Sequence, residues 1–251
     1  MTTPSRLSEL DAFRGIAAMS VLLAHYTTVY QTIYGNHEVL IYFQHGGLGI
    51  NLFFMISGFV IYLSLGKAKT SLDFIVGRFS RLYPTYWIAI GLTFTIVALF
   101  GLPGQAVSLR NALINLTMIE PWFSVPYVDG VYWTLAVELA FYAIMLILYM
   151  NNLLKKIEVL AVGWLAIIYS TRILCYFLNV KLPFMLMAAI LFWWGQFFIA
   201  GIMFYKIKNK QSSYYHHVII VVCFLFSITS MVTIGELIIN SIYFIYFVMT
   251  N

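Results

Sequence analysis

The feature that most constrains this chain is the recurrence of predominantly apolar runs about 17 to 22 residues long, such as residues 16 to 34, 48 to 65 and 133 to 150. Wound as helix at about 1.5 Å per residue, a run of that length spans a hydrocarbon layer roughly 30 Å thick. Hydrophobic residues make up 62% of the 251 positions and charged residues only 9%, against roughly 45–50% and about 25% in ordinary water-soluble domains. One aqueous core cannot bury that excess. The bilayer is the solvent, and helices, which satisfy their own backbone groups, are the expected spanning form. The expected fold class is all-α, a polytopic transmembrane helical bundle.

The formal charge of +5 is unevenly spread. Lys67, Lys69, Arg78 and Arg81 share one connection, Lys155 and Lys156 another, and Lys206, Lys208 and Lys210 a third, while Arg6 precedes the first run. Positively charged loops stay in the cytoplasm. The alternate connections face outward: residues 35 to 46 lack Lys and Arg, 102 to 130 carry Arg110 alone, and 179 to 184 carry Lys181 alone. This alternation predicts about eight spanning helices with a cytoplasmic N-terminus, near residues 12 to 34, 47 to 66, 84 to 101, 131 to 150, 157 to 178, 185 to 205, 216 to 235 and 236 to 249. Residues 106 to 119 are too short to span without inverting every later loop, so they read as an outer-face amphipathic or re-entrant helix.

Arg14 and His25 interrupt the first run, and no small-residue cleavage pattern follows it, so it reads as a span rather than a removable signal. No repeat or low-complexity stretch divides the chain, and residues 1 to 251 are expected to form a single membrane domain. Ser8 before Asp11 and Thr70 before Asp73 have the spacing of capped helix starts. The second would open a short helix that ends where Pro84 begins the third span, since proline is tolerated in a first turn. Cys175 and Cys223 lie in apolar runs without ligand spacing, so no metal and no bound cofactor are expected. Nucleic acid is not an expected partner; the lipid bilayer is.

An ionisable side chain inside a span costs roughly 2.5–3.5 kcal/mol on the insertion scale, so each one calls for a partner or a task. Arg14 and His25 are eleven residues apart; at about 100° per residue they share a helix face, separated by about 16 Å along the axis. They can line one interior cavity, or Arg14 can snorkel to headgroups while His25 bonds a backbone carbonyl. Arg78 and Arg81, three apart, can grip one phosphate-bearing group together or hold anionic lipid. Glu138 lies five residues inside the fourth span, at about the depth of His25, where a carboxylate could fix an imidazole tautomer and raise its basicity. It could equally be neutral and structural. Arg172 can pair with Glu138 or Glu120 or reach the interface, the favoured reading, and His216 and His217 read as interface residues. Ser57 and Gly58 form a small pair suited to close helix packing. Trp87, Trp133, Trp193 and Trp194 fit an interface belt or bundle packing.

Four segments together resemble the acyltransferase-3 family of bacterial multi-spanning acyltransferases, which includes O-antigen and exopolysaccharide acetylases. LDAFRGIAAMSVLLAHY at residues 10 to 26 is similar to the family's first helix, an arginine and a histidine with ten residues between. GGLGINLFFMISGFVI at 46 to 61 resembles its glycine and SGF helix, RFSRLYPTYW at 78 to 87 its R-x-x-R followed by tyrosine and proline, and WTLAVELAFY at 133 to 142 its W-S-L-x-V-E-x-x-F-Y segment. The resemblance covers residues 7 to 150 and implies transfer of an acyl group, acetyl above all, from cytoplasmic acyl-CoA as donor substrate to a carbohydrate hydroxyl at the plasma (inner) membrane. It implies that His25 is the central catalytic group, that Glu138 is an essential carboxylate, and that Arg14, Arg78 and Arg81 serve catalysis or donor binding.

The chain departs from the family pattern where Leu139 follows Glu138 in place of a second glutamate and where Asn51 stands in place of aspartate. Family members commonly run longer, so a C-terminal truncation is expected. Two other readings stay open on the residues: a proton or anion transporter lined by Arg14, His25 and Glu138, and an inactive, shortened relative that partners another membrane protein.

Overall fold

A computed structural model describes residues 8–31, 35, 43–101, 107–180 and 182–229. Among these the chain is helical, with no strand. Helix α1 (Ser8–Ala24) runs into a π turn (His25–Val29), and a 3-10 turn (Gln44–Leu48) opens α2 (Gly49–Lys67). Then follow α3 (Ser71–Phe100), α4 (Leu109–Asn115), α5 (Trp133–Met150), α6 (Ile157–Leu178), α7 (Phe184–Ala189), α8 (Gly195–Lys208) and α9 (Tyr214–Thr229).

Four helical stretches are long and apolar enough to cross a bilayer: His45–Lys67, Ser71–Phe100, Gly130–Met150 and Leu153–Leu178. The expected spans at 47 to 66, 131 to 150 and 157 to 178 coincide with three of them. The expected last span, 236 to 249, lies outside the described residues, and the span at 216 to 235 is described only to Thr229.

Two boundaries differ from expectation. Residues 71 to 101 do not break into a short helix and a span: α3 is one helix of 30 residues with Pro84 inside it. Proline removes one backbone donor and bends a helix, and here the helix continues through it. The start was correctly signalled. The Thr70 side chain accepts from Asp73 N (3.1 Å) while the Asp73 carboxylate accepts from Thr70 N (2.9 Å), closing a capping box, and Gly101 ends the helix at φ +63°. The expected span at 185 to 205 is likewise interrupted, by a turn between α7 and α8 where Leu191 adopts φ 51°. Such a turn is tolerated because its carbonyls are taken up: Phe192 O accepts from Arg172 Nε (3.0 Å) and Nη2.

The chain forms two compact units: residues 1–62, 158–169 and 193–251, and residues 63–157 with 170–192. In the first, α8 is the central helix, buried from Gly195 to Phe204. A helix apolar on all sides belongs in such a place. It meets α2 through glycines. A Cβ on Gly58 would fall 2.1 Å from Phe198 O, and one on Gly201 would fall 2.0 Å from Met55 O. Only glycine lets the two backbones approach so closely. The 3-10 turn presses on α1 in the same way, with Gly46 against Ser20 O and Gly49 against Ala17 O.

In the second unit α4 folds back along α3. Tyr83 Oη donates to Thr117 O (3.0 Å), Tyr86 Oη to Asn115 O (2.8 Å) and Trp87 Nε1 to Leu116 O (3.0 Å). These three successive carbonyls stand at the C-terminus of α4, where intrahelical partners run out. The donors lie 14 to 18 residues before Gly101, which is about 21 to 27 Å back along the helix. Residues 107 to 119 therefore fold back along α3. Fully buried Asn115 completes the fold-back, donating to Pro126 O (3.0 Å) and accepting from Val128 N (3.0 Å).

Candidate functional site

Helix α1 buries Leu10, Phe13, Ala17, Ser20 and Ala24, and the half-buried Asp11, Arg14, Val21 and His25 form a stripe along one flank of that buried face. Arg14 and His25 thus share a face, as their spacing predicts. Arg14 Nη1 donates to Asp11 Oδ1 at 3.1 Å. His25 sits where the regular ladder gives way to the π turn, a local widening that often marks functional positions. Its Nδ1 lies 2.8 Å from Val21 O. A carbonyl oxygen can only accept, so Nδ1 carries the proton, and in the neutral ring Nε2 presents its lone pair. The π turn is itself fastened: Thr27 Oγ1 donates to Leu23 O (2.6 Å) and accepts from Phe43 N (3.2 Å), at the start of the 3-10 turn.

Arg78 and Arg81 lie in the second unit, seven and ten residues into α3. Arg81 is exposed and Arg78 half-buried. The Arg78 guanidinium lies 6.0 Å from the Phe74 ring centroid, and its Nε is buried without a hydrogen-bond partner. It borders a pocket of about 330 Å³ walled by Phe74, Phe79, Tyr83, Leu139, Tyr142 and neighbouring apolar side chains. Tyr142 also donates through its hydroxyl to Glu138 Oε1 at 2.7 Å. The second unit therefore gathers Arg78, Tyr142 and Glu138 around one stretch of α3 and α5. Spacing alone did not identify Tyr142. Its position four residues after Glu138, one turn on and on the same face, was the available signal.

Two expectations are corrected. His216 is no interface residue: it is 3% exposed, its Nδ1 accepts from Ser213 N (3.0 Å), and its Nε2 stands 3.2 Å from Glu158 Oε1. Because Nδ1 accepts, Nε2 holds the proton and donates. Lys206 pairs with the same carboxylate oxygen. Arg172 does not reach outward for headgroups but donates to the Phe192 carbonyl, with its guanidinium 5.4 Å from that ring. The burial of Glu120 was also missed. It is 0% exposed, Tyr86 Oη lies 3.4 Å from its Oε1, and burial pushes its carboxyl above the ordinary range. Among the described residues no three His, Cys, Asp or Glu side chains gather to hold a metal ion.

These features define, among the described residues, a helical membrane protein with a tautomer-fixed histidine in the turn that continues its first helix and an apolar, aromatic-walled pocket bordered by Arg78 on its third. The profile of the acyltransferase-3 family, described as an acyltransferase domain, matches residues 7–250, and the chain belongs to that family. It is 26% identical over 182 residues to acyltransferase MdmB of Streptomyces mycarofaciens, covering 68% of this chain and 46% of that protein. It is 34% identical over 113 residues to exopolysaccharide production protein ExoZ of Rhizobium meliloti, covering 41% of this chain and 34% of the relative. Protein 2 in the picA locus of Rhizobium radiobacter is 33% identical over 108 residues, 40% of this chain and 52% of that protein. The chain thus spans about half or less of the length of these relatives. No solved structure matches it.

Proposed function

We propose that this protein is a multi-pass O-acyltransferase of the bacterial inner membrane that moves an acyl group, acetyl above all, from cytoplasmic acyl-CoA to a hydroxyl of a cell-surface carbohydrate or its lipid-linked precursor. The family and the names of the relatives supply the class of reaction. The observation that carries the chemistry is the Nδ1 hydrogen bond of His25 to Val21 O. It fixes the ring and leaves Nε2 as a base.

In the proposed step Nε2 takes the acceptor hydroxyl proton as that oxygen attacks the thioester carbonyl. The carbon–sulfur bond then breaks and the thiolate leaves with the electron pair, to be protonated by the imidazolium. Val21, rather than a carboxylate, occupies Nδ1, so the role proposed for Glu138 lies with the acceptor and not with the histidine tautomer. Arg14, about 16 Å along the helix from His25, is too far to act on the same atoms and is assigned to a different part of the extended donor. Arg78 and Arg81 present guanidinium groups suited to donor phosphates.

Membranes carrying His25→Ala, at expression equal to the wild type, are expected to lose acyl transfer by about 10²–10⁴-fold, the range for a general base. Wild-type turnover in that variant would remove the proposed base.

A further inference from the structure

Outside the proposed site, the described residue least at ease in its surroundings is Glu120. It follows the three carbonyls that α3 grips, in a 3-10 turn (Glu120–Phe123), and is fully buried. Its Oε1 shares the Tyr86 hydroxyl at 3.4 Å with Asn115 O, the nearer acceptor at 2.8 Å, and its Oε2 is buried with no hydrogen-bond partner. The titratable groups facing it are phenols, Tyr83 and Tyr86 from α3 and Tyr127 from the loop that follows. Tyr132, which packs on Tyr86 with ring centroids 5.2 Å apart, and Asp129 beside it lie one neighbour further out. Next to it, Met118, Val128 and Ala112 close a carbon-lined core.

A carboxylate in such a seat would be desolvated, and its backbone hydrogen bond and the long contact to Tyr86 do not offset the loss, whereas a carboxylic acid fits at little cost. We infer that Glu120 is a proton-binding site that fastens the folded-back segment to α3: the neutral acid is held in the docked segment, and loss of the proton releases residues 107 to 130 from Tyr83, Tyr86 and Trp87. Burial raises the carboxyl of Glu120 in the docked state, while the released side chain returns to the ordinary carboxyl range. Docking is therefore fully supported below the released value and weakens as pH rises toward the docked value. Between the two, one proton leaves per opening, so the opening equilibrium rises about tenfold per pH unit.

The inference does not rest on acyl transfer, and its test needs no substrate. Hydrogen–deuterium exchange of the full chain in detergent, read by mass spectrometry on peptides covering residues 109 to 125 and corrected for intrinsic exchange rates, is measured from about pH 5 to about pH 9. Protection in the wild type is expected to fall about tenfold per pH unit through the titration window. Glu120→Gln, which keeps the shape and cannot ionise, is expected to hold its protection across the range. Tyr86→Phe removes the side-chain hydrogen bond that favours the charged form, and is expected to move the upper edge of the window to higher pH. Protection in the wild type that is flat with pH, a Glu120→Gln slope equal to the wild type's, or a window unmoved by Tyr86→Phe would each overturn the inference.

Discussion

Replacing Gly201 with alanine tests the packing that holds the first unit together. The added Cβ would stand 2.0 Å from Met55 O, 2.8 Å from Phe59 N and 2.9 Å from Met55 C. All three are backbone atoms of α2, so no side chain can swing aside. Relief to an ordinary contact of at least 3.4 Å requires the helices to part by about 1.4 Å. A gap of about 0.5–1 Å already forfeits a quarter to a half of a contact's dispersion energy. The neighbours that would lose contact, Phe198, Ile199, Ile202 and Met203, are fully buried. Overpacking typically costs about 1–3 kcal/mol, and a rigid obstruction puts this site at about 3 kcal/mol. Gly163→Ala is the control. A Cβ there meets nothing within 4 Å, so the same change in mid-helix should stabilise by up to about 1 kcal/mol. Thermal unfolding of both variants in mild detergent should give shifts of opposite sign. A Gly201→Ala midpoint equal to or above the Gly163→Ala midpoint would refute the close approach of α2 and α8.

Loss of the α3 cap in Thr70→Ala is expected to cost about 1 kcal/mol, read as faster amide exchange in the first turns of α3 with later turns unchanged. Glu158→Gln strips the carboxylate from Lys206 and His216, whose side chains are 13% and 4% exposed. Leaving a shielded ammonium without its counter-charge is expected to cost about 1–3 kcal/mol, measured as a lower thermal midpoint, with Glu158→Asp recovering part of it.

Much of the fold could be read from the chain. Apolar run length located α2, α5 and α6, and Thr70 three residues before Asp73 marked the start of α3, because these signals are local and each has a single physical cause. Gly58 next to Ser57 was read as a packing pair, and it is where α2 meets α8. Signals with two outcomes were less legible. Proline is compatible with opening a helix or with bending one, and at Pro84 the helix continues. The run at 185 to 205 carries no glycine or proline at the break, since Leu191 supplies the left-handed residue there. In the site, helical spacing placed Arg14 and His25 on one stripe, while the partner of the imidazole, a backbone carbonyl one turn earlier, leaves no mark in residue identities. His216 and Glu158 are 58 positions apart, and no periodicity links residues so far apart.

The length of α3 has one further consequence. Its 30 residues extend about 45 Å, roughly 15 Å more than the oily layer they cross. Lys67, Lys69, Asp73, Arg78 and Arg81 cluster toward its first end while Leu99 and Phe100 close the other, so the surplus stands on the charged side. A bilayer crossed in that orientation would leave the two arginines at the waterline, at a height set by membrane thickness as well as by the protein. A thicker lipid mixture would draw the guanidinium groups toward the chains or force the helix upright, and a thinner one would lift them into water. If the two arginines hold the donor as proposed, the grip on it would change with the surrounding lipids.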